Sequence, residues 1–165
     1  MFIAPRIIAP LLAVGLSLAA GTSAHAFDVT GHWSGTYKCK GTFDGEKDSY
    51  VDTLEADFTQ SGAAAGANVV FTGTPFNYSG VAIANAAKPD GGDLMLVICG
   101  TDDVLGSAQY DELSRLKVTT KPAKGTGTIS GESLYVRGGP IQAYTCKWKL
   151  KRTATSAPVV PTSCP

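Results

Sequence analysis

The stretch Tyr144-Thr145-Cys146-Lys147-Trp148-Lys149-Leu150-Lys151 changes character at every residue, with Tyr, Cys, Trp and Leu on one side and Thr and three lysines on the other. Side chains that switch faces with period two are the mark of an extended strand, half-buried. A similar phrase, Trp33-Ser34-Gly35-Thr36-Tyr37-Lys38-Cys39-Lys40, puts Trp33, Tyr37 and Cys39 on one face and two lysines on the other. Two such strands, one near each end of the chain, are expected to lie side by side and close a sheet on itself. Closure removes the exposed edges that an open sheet must otherwise protect.

The ends and the cysteines set the compartment. Arg6 is the sole charge before Asp28, Ile7 to Ala20 is an apolar run too short to span a bilayer, and Ala24-His25-Ala26 offers a cleavage site. Residues 1–26 therefore read as a signal peptide, and the remainder is enough for one domain with a core. No later run has the length of a transmembrane helix, so a periplasmic or secreted monomer that does not span the membrane is expected. Cys39, Cys99, Cys146 and Cys164 all follow the cut. Four cysteines in an exported chain point to disulfides, and three connectivities are open. Cys39–Cys146 is favoured because both lie on the apolar faces of strands expected to pair, where facing Cα atoms approach within disulfide reach. Cys99–Cys164 would then follow and tether the Pro/Ser/Thr-rich tail, residues 153–165.

Between these ends, turn signals separate short alternating runs. Asp44-Gly45 and Lys88-Pro89-Asp90-Gly91-Gly92-Asp93 are the firmest. Strands are expected at Tyr50–Thr59, Asn68–Thr72, Asn77–Ala84, Leu94–Cys99, Ser114–Thr120, Gly125–Ser130, Ser133–Arg137 and Gln142–Lys151. Ser61–Ala67 reads as a small-residue loop, and Thr101 as a cap for a short helix. Leu94–Cys99, apolar on both faces, reads as a strand covered on both sides. The whole reads as an all-β domain over residues 27–152, an antiparallel up-and-down β-barrel of eight or nine strands, with a β-sandwich as the alternative.

The chemistry is sparse. His32 is the single histidine after the signal, and no Gly-x-Ser-x-Gly elbow, phosphate loop or dinucleotide fingerprint occurs. No enzyme activity and no cofactor are expected. Asp44, Glu46, Asp48, Asp52 and Glu55 have calcium-loop spacing but lack its central glycine, so a solvated acidic turn is the plainer reading. Thirteen acids against four lysines from Asp28 to Glu112 give way to nine cations against Glu132 alone. Complementary ends of one fold explain that asymmetry without nucleic acid. Lys38, Lys40, Lys147, Lys149 and Lys151 form a stripe that would suit either solubility or an anionic surface such as membrane phosphates or acidic glycans.

Trp33, Tyr37, Tyr50, Phe58, Tyr144 and Trp148 fall on the expected inner face. An eight-stranded barrel is just wide enough to be filled by side chains or to hold one small ligand. The aromatic set reads either as the wall of a small-molecule pocket or as a packed core.

Gly31-His32-Trp33 resembles the Gly-x-Trp opening of lipocalins and other calycin barrels. That resemblance implies a barrel with a basic residue, Arg152 or Lys149, packed over Trp33; from the inward aromatics and the closing strands a small apolar or amphipathic ligand is expected in its interior. The chain has no Thr-Asp-Tyr motif and no pattern for a long C-terminal helix. Tyr37-Lys38-Cys39 resembles the Tyr-x-Cys of periplasmic C-type lysozyme inhibitors, which implies instead a protein-interaction or inhibitor module acting on an envelope protein.

Overall fold

A computed structural model describes residues 27–72, 77–88, 90–102, 108–137 and 141–160. The expected signal peptide lies outside the described residues, as do Cys164 and the side chain of Cys99. Eight strands follow one another around a closed antiparallel barrel. They are β1 (Gly31–Phe43), β2 (Glu46–Ser61), β3 (Ala64–Phe71), β4 (Asn77–Lys88), β5 (Gly91–Asp102), β6 (Ala108–Lys121), β7 (Thr126–Arg137) and β8 (Gln142–Ala154). Each pairs with its neighbours in sequence, and β8 returns to β1.

The alternation of the end strands is realised. Trp33, Tyr37 and Cys39 of β1 and Tyr144, Cys146, Trp148 and Leu150 of β8 are buried, while the lysines between them are exposed. Cys39 and Cys146 are direct cross-strand partners and are joined, closing a span of 107 residues with Cα atoms 4.1 Å apart. The hairpin between β1 and β2 turns on Asp44 and Gly45, both at positive φ, which Asp-Gly tolerates and which matches the right-handed strand twist.

Four local expectations are corrected. Ser61–Ala67 is not a loop: β3 begins at Ala64, and buried Ala65 and Ala67 supply small inward side chains, with Ala67 facing Phe58 across the ladder. The strands expected at Gly125–Ser130 and Ser133–Arg137 are one, β7, that starts at Thr126 and runs straight through Gly131. Thr101 caps no helix, since Thr101 and Asp102 end β5 opposite Gln109 and Ala108. The outer side of β5 is uncovered, with Met95 and Val97 exposed; the apolar run reflects an apolar outer wall rather than a second covering layer.

The β1 start of the barrel is sealed. Residues 27–30 fold across it and are fastened by Gln60, whose amide bonds Val29 N, Phe27 O and Gly62 O. Phe27 and Val29 plug the opening above Trp33, and the Trp33 indole N–H donates to Val29 O at 2.9 Å. Gly127 is where the wall yields to that indole, because a Cβ there would sit 2.8 Å from the Trp33 ring. The guanidinium of Arg152 lies 4.7 Å from the centre of the same ring and donates to Asp28 O, so Arg152, rather than Lys149, meets the expectation of a basic residue over the tryptophan. Thr59 Oγ1 donates to Pro158 O and Val160 is buried, so residues 155–160 fold back beside the same end.

Candidate functional site

The other half of the interior is built differently. Trp33 and Phe58 belong to the sealed end and are fully buried, whereas Tyr37, Tyr50, Tyr144 and Trp148 gather toward the opposite mouth with Phe71 and Tyr135. Tyr37 stands edge-on to Trp148 at 5.5 Å and to Phe71 at 4.9 Å. Tyr50 stands edge-on to Tyr144 at 5.3 Å. These separations are those of favourable aromatic pairs.

Glu112 of β6 lies within this group at 3 % exposure. Its Oε1 accepts from the Tyr37 hydroxyl at 2.9 Å, from Ser133 Oγ and from the Trp148 indole N–H at 3.3 Å. The same indole donates to Ser133 Oγ at 2.9 Å. Burial pushes the Glu112 carboxyl above its ordinary range, against the three hydrogen bonds, which favour the ionised form. Burial, followed by the Glu112 charge, also raises the Tyr37 and Tyr50 hydroxyls. Ser114, on the same wall and directly opposite Ser133, is fully buried, and its hydroxyl has no partner among the described residues. A buried hydroxyl left unpaired is unfavourable by about 1–3 kcal/mol, so it marks a place where stability is not optimised.

The strands beside this polar group differ in length. β2 spans 16 residues but pairs with β3 only from Leu54 to Ser61. Backbone bonding to the β3 side continues to Thr72 N, which donates to Thr53 O, and Glu46–Asp52 run on beyond it. Tyr50 is 37 % exposed although it occupies an inward position of the strand. By the same alternation Asp48 and Asp52 flank it. Asp48 Oδ2 accepts from the Tyr144 hydroxyl at 2.6 Å, and burial, then Asp48, push that phenol up to about 12.

The other sequence candidates disperse. His32 is on the outer side, bonded to Asp57 at 2.7 Å with Glu55 at 4.0 Å. Asp44 accepts from Ile141 N within a turn, and no cluster of metal-ligating side chains occurs among the described residues. The lysines Lys38, Lys40, Lys147, Lys149 and Lys151 do form one exposed stripe, with Lys147 3.4 Å from Glu132. Glu112, Ser114, Ser133 and Tyr135 escaped the sequence reading. Extending the alternation of Ser114–Thr120 back by two residues would have placed Glu112 inside. Among the described residues no helix is long and apolar enough to cross a membrane. No protein-family model matches the chain, and no curated protein or solved structure is detectably similar to it.

Proposed function

We propose that the protein is an exported, monomeric binding barrel that takes a small apolar or amphipathic ligand on the side of the partly exposed Tyr50. The observation that carries this reading is the division of the interior: one half is sealed by Trp33 and Phe58, and the other sets aromatic rings around convergent polar groups. Apolar walls with a few placed polar groups are the usual make-up of small-molecule sites. In this reading Tyr37, Tyr50, Tyr144 and Trp148 line the site, while Trp33 and Phe58 support it from below. A disulfide between the end strands fits an oxidising compartment, periplasmic or secreted. Native mass spectrometry of the purified protein against a panel of lipids and aromatic metabolites is the test. Bound ligand in the wild type that is lost in Tyr50→Trp, which enlarges that side chain, supports the reading; no retained compound at any concentration removes it.

A second reading, an interaction module for an envelope protein, is favoured by the outer wall. There Lys38, Cys39, Lys40, Ser49, Tyr50, Val51, Thr145 and Lys147 line a groove of about 540 Å³. Recovery of the same partner from envelope extract by wild type and by Lys38→Glu/Lys147→Glu would count against it.

A further inference from the structure

Independently of the interior, we infer that the outer face of β7 is a trough for an extended acidic polysaccharide, gripped by the lysines of β6 and β8. Over this part of its length β7 presents only short hydroxyls outward, Thr126, Thr128 and Ser130, all exposed. The strands on either side present long cations. Lys117 and Lys149 stand on opposite sides of Ser130, Lys151 stands beside Thr128 with Thr119 across from it, and Lys121 faces Thr126. Strands that flank a common neighbour are about 9.6 Å apart, and Lys149 and Lys151 succeed each other at about 6.6–6.8 Å. That is room for one extended chain, with cations along both of its sides and hydroxyl donors beneath it.

The charge of the trough is not cancelled. Lys117, Lys121, Lys149 and Lys151 form no ion pair among the described residues. Toward the sealed end the trough becomes a groove of about 250 Å³, in which Lys121, Lys151 and Arg152 share the lining with Thr119, Thr126, Gly127 and Thr128. The Arg152 guanidinium is held by Trp33 and Asp28 O, so it adds positive charge from below. No carboxylate lines the groove. Asp28 and Asp90 are at the same end of the barrel, and the Asp28 carboxylate accepts from Thr30 N at 2.8 Å. The terminal stretches 1–26 and 161–165 contain no acid. In the other direction the trough ends at Glu132, which pairs with Lys147 at 3.4 Å, while Arg115 pairs with Asp93 at 3.6 Å. Exposed like charges held this close repel one another and draw in a polyanion.

The surroundings select among polyanions. A single-stranded nucleic acid is held by bases stacked on aromatic rings, and no outward position of the trough is aromatic. A lipid surface needs apolar side chains to enter it, and the exposed Leu113 and Leu134 lie past Glu132, outside the trough. Hydroxyls between rows of cations suit the hydroxyls and acid groups of a sugar chain.

The test is isothermal titration calorimetry with an oligogalacturonate and, as its neutral counterpart, a dextran oligomer. It is run in about 0.15 M salt, where exposed charges more than about 8 Å apart are largely screened. The oligogalacturonate is expected to bind and the dextran not. Lys121→Glu/Lys151→Glu should weaken binding about tenfold or more, the sum of two exposed charge contacts. Lys38→Glu/Lys40→Glu makes the same change in net charge on β1, two strands from β7, and should leave affinity within about twofold. A loss as large in this second variant would overturn the trough and leave only net charge. No binding of oligogalacturonate, or tighter binding of a single-stranded oligonucleotide or of phosphatidylglycerol vesicles, would overturn the polysaccharide assignment. The substituted lysines are all exposed, and the wild-type ranking needs no variant.

Discussion

Around Trp33 the inward side chains are apolar and sealed apart from Thr120, whose hydroxyl donates to Asp90 O, and the one polar atom of the indole has its partner in Val29 O. Around Glu112 the same barrel buries a carboxyl, two serine hydroxyls and a phenol, leaves Ser114 without a partner among the described residues and lets Tyr50 reach solvent. Both halves use large aromatics on inward strand positions. They differ in what surrounds those rings: small residues such as Ala65, Ala67 and Gly127 make room at the sealed end, whereas polar side chains from β6 and β7 meet them at the other. Aromatic content therefore says little about whether a barrel end is core or site. Polar convergence says more.

The comparison can be broken in several ways. Removing the disulfide with Cys39→Ser/Cys146→Ser is the largest expected perturbation, lowering stability by about 4–5 kcal/mol, since a loop of this length restrains the unfolded chain strongly. Urea unfolding would measure it, and a loss well below that would mean that the ladder between β1 and β8 closes the barrel without help.

Trp33→Ala should follow at about 3–5 kcal/mol, the usual result of emptying a packed core position. Tyr50→Ala, at the partly exposed counterpart, should lower stability by no more than about 1 kcal/mol. Equal losses at the two positions would erase the division between sealed end and site.

Ser114→Ala is expected to raise stability by about 1 kcal/mol or more, because it deletes a buried hydroxyl that has no partner. A loss instead would show that Ser114 is satisfied in solution and belongs to the core.

The smallest effect is a pH dependence. Glu112 is raised above 4.5 in the folded protein, so the folded state holds its proton more tightly than the unfolded one. Stability from this group is complete below 4.5 and is lost as pH rises through the folded value. Unfolding midpoints at pH 4 and pH 7 should thus fall less for Glu112→Gln than for the wild type. Parallel falls would mean that solvent reaches the carboxyl and that this half is no drier than its mouth.

Much of this was legible in the chain itself. Period-two alternation at Trp33–Lys40 and Tyr144–Lys151 determined two half-buried strands, their inward aromatics and their outward lysines, because which face a side chain takes in a strand is fixed locally by the backbone, and it made Cys39–Cys146 the favoured of three connectivities. The Gly31-His32-Trp33 opening led to the expectation of Arg152 or Lys149 over Trp33, and Arg152 is the residue in contact. What the tertiary structure decided is which inward residues share a level. Glu112 is a backbone neighbour of Ile98 and Tyr135, yet its carboxyl meets Tyr37 and Trp148 across the interior, through the stagger of eight tilted strands. The partial exposure of Tyr50, at an inward position of β2, is likewise a property of the folded barrel and not of the alternation. Alternation reports the side of the wall; only closure reports who stands opposite.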